Sequence, residues 1–142
     1  MPGLPKGDFE IVDHTADTAI RGWGSTHEEL FANMAKGLFK VIGGEATVSL
    51  AQTRVLHVEA ENSNELLHDW LEILNALHQI HHELYTSFEL IIDDNHLKAT
   101  VRGGPMDGGA GEFGTEVKAV TWHDLHIQET PHGLEAYVLL DI

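Results

Sequence analysis

Two segments of the chain, 25–44 and 62–85, carry apolar residues at every third or fourth position. This spacing predicts two amphipathic α-helices, each with one face toward a core. Ser25 or Thr26 can cap the start of the first helix, and Asn62 can cap the second. Both predicted helices lie in the first part of the chain, and the rest of the chain does not show this helical spacing.

Outside the helices, apolar and polar residues alternate with a period of two, which predicts β-strands. The seven predicted strands are 9–14, 18–24, 53–60, 88–94, 96–103, 116–127 and 134–142. The last four form two hairpins, with turns at Asp94-Asn95 and at Pro131-His132-Gly133. The order ββαβαββββ predicts an α+β fold, in which two helices pack on one face of a mixed, largely antiparallel β-sheet. We expect a single domain over 1–142, with a flexible N-terminus at 1–8.

The strongly negative charge of the chain argues against nucleic acids as direct partners. Asp and Glu number 23 against 8 Lys and Arg, a formal net charge of −15. Such a surface repels phosphate backbones, so direct nucleic-acid binding is not expected. Solubility is the default explanation of the charge, a basic protein partner or bound cations are the alternative, and charge alone does not distinguish them. Cysteine is absent, which excludes disulfides and thiolate chemistry and fits a reducing cytoplasm. No signal peptide or membrane-spanning run is evident, so we expect a cytoplasmic protein.

Three motifs suggest chemistry, but the sequence favours a structural interpretation of each. His78, His81 and His82 have a helical spacing that could hold a metal, yet no HExxH motif accompanies them. On a predicted strand, His123 and Asp124 point to opposite faces and cannot form a dyad. The glycine-rich stretch 103–114 lacks the order of a phosphate-binding loop, and we interpret it as a mobile surface loop.

The candidate site combines the two ends of the chain. Asp13 and His14 end the first predicted strand, and Asp17 directly precedes the second. The last predicted strand ends with Asp141 and Ile142, which carries the terminal carboxylate. If these ends are neighbours, the crowded carboxylates need a cation between them. Oxygen ligands favour Ca²⁺ or Mg²⁺, whereas a direct bond from His14 would admit Mn²⁺ or Zn²⁺. Periodicity leaves open the alternative that the ends never meet.

Four segments together resemble the archease family: "DHTADTAIRGWGSTHEELFANMAKGLF", "NELLHDWLEIL", "EVKAVTWHDLHI" and the terminal "LLDI". The resemblance runs in order from about Phe9 to Ile142. It implies a small acidic α+β protein, without a catalytic activity of its own, that acts on an RtcB-type RNA ligase. Such a ligase joins ends bearing a 3′-phosphate or 2′,3′-cyclic phosphate to 5′-hydroxyl ends, in tRNA splicing or RNA repair.

The resemblance also implies what the protein does for its partner. Archeases promote transfer of GMP from GTP to a histidine of the ligase, and they support repeated turnover. The family's divalent metal site, described with calcium, maps onto Asp17, Asp141 and Ile142, leaving Asp13 and His14 as second-layer or partner-contacting residues. Three alternatives remain: a small metal-dependent hydrolase or nuclease with His14 as base, a chaperone-like modulator of a tRNA methyltransferase, and a general chaperone.

Overall fold

The computed structural model describes residues 7–13, 17–106 and 114–142. The elements, in chain order, are β1 Phe9–Asp13, β2 Asp17–Gly24, α1 His27–Gly43, β3 Gln52–Glu59, α2 Ser63–His81, β4 Glu83–Asp93, β5 His96–Pro105, β6 Ala119–Val120, β7 His126–Thr130 and β8 Gly133–Asp141. The predicted flexibility of the N-terminus falls mainly on residues 1–6, outside the described residues. Asp8 is described, and its backbone oxygen accepts a hydrogen bond from Trp23 N at 3.1 Å.

Local sequence accounts for the helix starts. Thr26 caps α1, because its hydroxyl oxygen accepts a hydrogen bond from Glu29 N at 3.1 Å. The Glu29 carboxylate in turn accepts from Ser25 N at 3.2 Å, which completes the predicted capping box. Asn62 caps α2 by accepting from Glu65 N at 2.9 Å. These bonds satisfy backbone donors that have no partner inside a helix.

The strands form two antiparallel sheets. The first has the order β1-β2-β8-β6, with β7 also paired to β8, and the second has the order β3-β5-β4. Each helix contacts strands of both sheets. The predicted α+β class and the order of helices and strands are confirmed. The predicted single sheet is instead divided in two, because, among the described residues, β3, β4 and β5 pair only with one another and not with the strands of the first sheet.

The predicted strand 116–127 is also interrupted. It contains the short β6 and only the first residues of β7, with a turn at His123 and Asp124 between them. Asp124 adopts a left-handed backbone conformation, with φ 55°, in the segment that separates the two strands. Both strands pair antiparallel with β8, so the chain continues in the same direction after the interruption. The prediction that His123 and Asp124 point to opposite faces of a strand is therefore wrong. Their side chains lie 3.3 Å apart in solvent, with 73% and 72% of their surfaces exposed.

The core holds the largest buried side chains between the helices and both sheets. Trp70 of α2 is fully buried, and its indole N–H donates to Phe31 O at 3.0 Å. Burial of each large apolar side chain contributes about 1.5–3 kcal/mol, so this shared core holds the two sheets together. Among the described residues, no helix is long and apolar enough to cross a membrane.

One buried polar cluster lies at the start of β4. Glu83 is 6% exposed and accepts hydrogen bonds from Arg54 Nε at 2.8 Å and from the Tyr85 hydroxyl at 2.7 Å. The Arg54 guanidinium lowers the pKa of the Glu83 carboxyl, against the opposing effect of burial. Burial also raises the pKa of Tyr85. The charge of Glu83 is thus compensated inside the protein.

The glycine-rich stretch departs from its predicted loop. Gly103 and Gly104 are buried residues of β5, and a side chain at Gly103 would overlap the backbone oxygen of Leu84. The pairing of β4 with β5 shifts register at this point, between Tyr85 and Ser87, and only glycine permits so close an approach. Residues 107–113 of the predicted loop lie outside the described residues.

Candidate metal site at the paired ends of two strands

Asp17 and Asp141 occupy directly facing positions in the antiparallel pair of β2 and β8. Asp17 is the first residue of β2, and Asp141 is the last residue of β8. Side chains of facing residues lie on the same side of a sheet, with their Cβ atoms about 4.5–5.5 Å apart. The structure therefore brings the two aspartates together, whereas the sequence left open whether the two ends of the chain meet.

The end of β8 is held on both sides. On one side it pairs with β2, and on the other Ala119 of β6 faces Asp141. Lys118 N donates a hydrogen bond to the Asp141 backbone oxygen at 2.8 Å. Ile142 is partly buried and packs against the core. These contacts anchor the strand up to Ile142, so the Asp141 side chain projects from a fixed backbone.

The Asp17 carboxylate lacks the partners that a half-buried charge needs. Its Oδ1 atom is buried and has no hydrogen-bond partner among the described residues. In that part of the chain, no ion pair involves Asp17 or Asp141. An unsatisfied buried oxygen costs about 1–3 kcal/mol, and facing like charges add to that cost. A bound cation would remove both penalties, and oxygen donors suit a hard divalent ion.

Asp13, one of the two other residues predicted near this site, lies on the other face of the sheet. Asp13 faces Thr18, and its carboxylate accepts a hydrogen bond from the Thr18 hydroxyl at 3.2 Å. Thr18 faces Leu140, so this pair belongs to the opposite side of the sheet from Asp17. His14 lies outside the described residues, and its predicted role stays a prediction.

The helical histidines have structural contacts. His78 Nδ1 lies 2.9 Å from Glu83 O, which ties the end of α2 to the start of β4. His82 follows the helix in a left-handed conformation, with φ 54°, and its N–H donates to His78 O at 2.8 Å. These bonds close the C-terminal end of the helix.

Sequence reasoning overlooked a second group of potential ligands on α2. His68, Asp69 and Glu72 each place one ligand atom so that all three atoms lie within 4.8 Å of one another. The signal was present in the sequence, because His68 and Glu72 are four residues apart on a predicted helix and so lie on one face. Helical spacing alone does not distinguish such a group from an ordinary solvated helix face, and the close approach of the three ligand atoms is visible only in the structure.

Comparison with known proteins identifies the family. Residues 9–142 match the Archease protein family (MTH1598/TM1083). The chain is 37% identical to protein archease of Pyrococcus abyssi over 129 residues, which cover 88% of this chain and 91% of that protein. It is 33% identical to protein archease of Methanopyrus kandleri over 138 residues, 94% of this chain and 99% of that protein.

Solved structures agree with the sequence comparison. The solution structure of Methanobacterium thermoautotrophicum protein 1598 superposes with a TM-score of 0.83 at 34% identity, covering 94% of this chain and 98% of that one. The crystal structure of a Thermotoga maritima archease, described as a possible chaperone, has the same fold, with a TM-score of 0.65 at 22% identity and full coverage of both chains. The sequence match over residues 9–142, together with these relatives, shows that this chain belongs to the archease family.

Proposed function

We propose that this protein is a non-catalytic protein cofactor that activates an RtcB-type RNA ligase. In this role it promotes guanylylation of the ligase and its multiple turnover, in tRNA splicing or RNA repair in the cytoplasm. Membership of the archease family over residues 9–142 is the observation that carries the proposal. The Thermotoga maritima relative is described as a possible chaperone, a role that also consists of acting on another protein.

The charge of the chain supports action on a protein rather than on RNA. An RNA ligase exposes a basic surface to its substrate, and a protein with a net charge of −15 is attracted to such a surface. Complementary charge accelerates docking and favours the correct partner. The same charge repels RNA, so the activator acts through the ligase.

The proposal includes a divalent ion held by Asp17 and Asp141. In a chain that ends at Ile142, its α-carboxylate is the third ligand. The facing positions of the two aspartates and the unpartnered Asp17 Oδ1 support this assignment. Oxygen ligands favour Ca²⁺, with Mg²⁺, Mn²⁺ and Zn²⁺ as competitors. The ion would neutralise the paired carboxylates and so stabilise the paired ends of β2 and β8.

Ligation assays with the cognate ligase test the function. We expect substoichiometric amounts of the protein to increase the fraction of guanylylated ligase and the number of ligations per ligase, with GTP and Mn²⁺ supplied. Equal rates with and without the protein, over several kinds of RNA end, would contradict the proposal. The protein alone, incubated with metal and phosphodiester substrates, distinguishes an activator from a hydrolase, because only a hydrolase degrades them.

A further inference from the structure

Both ring nitrogens of His68 face hydrogen-bond acceptors. Nε2 lies 2.9 Å from Val120 O, while Nδ1 lies 2.9 Å from Asp69 Oδ1 and 3.4 Å from Glu72 Oε2. The side chain is 6% exposed, so water cannot freely replace these contacts. A neutral imidazole carries one N–H, and the Val120 oxygen can only accept. With the N–H on Nε2, the Nδ1 lone pair is directed at two carboxylates.

This arrangement needs a positive charge between Nδ1 and the carboxylates. A second proton on His68 would provide one, and a metal ion would provide another. Histidines that bind metals almost always donate their other ring N–H to a carbonyl or carboxylate, which sets the ring orientation. The bond from His68 Nε2 to Val120 O is of this kind. The ring is therefore already oriented to present Nδ1 as a ligand.

We propose that His68, Asp69 and Glu72 bind a transition-metal ion of the Zn²⁺ class, through Nδ1 and one oxygen of each carboxylate. The three ligand atoms lie within 4.8 Å of one another, close enough to share one ion. One imidazole with two carboxylates suits Zn²⁺, Ni²⁺ or Co²⁺ better than Ca²⁺, which prefers oxygen ligands alone. Three protein ligands leave a fourth position for water or a group from a partner.

Two of the three proposed ligands are open to solvent, and the third, His68, is held in place by an aromatic contact. The side chains of Asp69 and Glu72 are 38% and 57% exposed, so the ion enters from solvent. Trp122 stacks on the His68 ring, with centroids 3.8 Å apart and planes inclined by 13°. The indole fixes the ring from one side and is itself 54% exposed. It also provides a fluorescent reporter in contact with the ligand.

This site is separate from the one proposed for Asp17 and Asp141. It lies on α2, its ligands are different residues, and it adds an imidazole nitrogen to the carboxylate oxygens. The proposal therefore stands without the proposed activation of a ligase.

Zinc titration of the chelator-treated protein tests the site, with calorimetry as the readout. We expect Glu72→Gln and Asp69→Asn to weaken Zn²⁺ binding at least tenfold, and His68→Gln to abolish it, with Ca²⁺ binding unchanged in all three. Glu72 and Asp69 lie partly in solvent, so their variants keep the fold even where a change at buried His68 does not. Glu59→Gln is the matched control, because it removes the carboxylate 3.3 Å from exposed His96.

Fluorescence gives a second, independent readout. Ni²⁺ or Co²⁺ bound at His68 should quench Trp122, and the quenching should disappear in Trp122→Phe and in Glu72→Gln but persist in Glu59→Gln. Equal Zn²⁺ affinity in wild type, Glu72→Gln and Asp69→Asn would overturn the proposal. So would imidazole ¹⁵N shifts showing that the His68 ring carries two protons in the presence of saturating Zn²⁺.

Discussion

Asp17 and Asp141, which lie far apart in the chain, face each other across the antiparallel pair of β2 and β8. Neither carboxylate has an ion-pair partner in the described part of the chain, and Asp17 Oδ1 is buried without a hydrogen bond there. Two carboxylates that face each other at a fixed spacing repel, and this repulsion becomes attraction when a cation lies between them. This arrangement of the two carboxylates is the reason why the paired ends of β2 and β8 are the proposed calcium site.

Removal of either aspartate should weaken Ca²⁺ binding. We expect Asp17→Asn and Asp141→Asn each to raise the dissociation constant at least about tenfold, since even residues that only support metal ligands contribute 10–100-fold. Calorimetric titration with Ca²⁺, Mg²⁺, Mn²⁺ and Zn²⁺ measures the effect. Asp93→Asn is the charge-matched control, because Asp93 is an exposed residue at the end of β4 in the other sheet. Affinities that drop equally in the control would indicate a general charge effect and no site.

The same substitutions should change stability in opposite directions with and without the ion. In chelator, Asp17→Asn removes the repulsion between facing carboxylates and should stabilise the protein by about 0.2–1 kcal/mol. In excess Ca²⁺, the wild type gains binding free energy that the variant loses, so the variant should be the less stable protein. Thermal unfolding in the two buffers measures the reversal. A variant that is less stable in both buffers would mean that Asp17 has a structural role independent of any ion.

An extension after Ile142 tests the third proposed ligand. Added residues convert the α-carboxylate to an amide, which removes one anionic ligand while every side chain stays the same. We expect weaker Ca²⁺ binding, with an unfolding free energy in chelator close to that of the unextended chain. The same residues placed before Met1 are the control and should leave Ca²⁺ affinity unchanged. Full affinity in the C-terminal extension would exclude the α-carboxylate as a ligand.

The buried Glu83 cluster should make stability depend on acid pH. Because Arg54 lowers the pKa of Glu83, the pair contributes stability that is present above the ordinary carboxyl pKa and is lost as pH falls through the lowered one. Glu83→Gln should cost about 1–3 kcal/mol at pH 7, since hydrogen bonds to charged groups contribute this much. The difference from wild type should shrink steadily below about pH 4 in urea titrations.

The matched control for this cluster is Glu45→Gln. Glu45 pairs with Lys40 at 3.1 Å on the surface, where both side chains are about half exposed. Exposed pairs contribute about 1 kcal/mol or less, so the control should be nearly neutral at every pH. If Glu83→Gln behaves like this control, the Arg54 contact does not stabilise the fold.

Direct binding of RNA should be negligible. The net charge of −15 repels the phosphate backbone, and only 8 Lys and Arg are available to neutralise it. Gel-shift titration with single-stranded and duplex RNA at physiological salt should show no complex with the isolated protein. A complex that weakens steeply with added salt would contradict the proposal that the protein acts through the ligase.

Much of the secondary structure followed from local patterns. The caps at Thr26 and Asn62, and the apolar periodicity after them, predicted both helices because helix formation depends on neighbours three and four residues apart. The alternating strands were predicted for a similar local reason. The turn at Asp124 was not predicted, because its left-handed conformation depends on how β6 and β7 both pair with β8.

Local sequence patterns were enough to predict the helices, most of the strands, the α+β class and the aspartates of the candidate site near the two chain ends. The division into two sheets, the facing positions of Asp17 and Asp141, and the contact of His68 with Val120 O follow from the folded chain alone. The physical reason is that strand register depends on residues far apart in the chain, and a shift of one residue would place a side chain on the opposite face. Alternation alone is compatible with several registers, and packing of the shared core selects one of them.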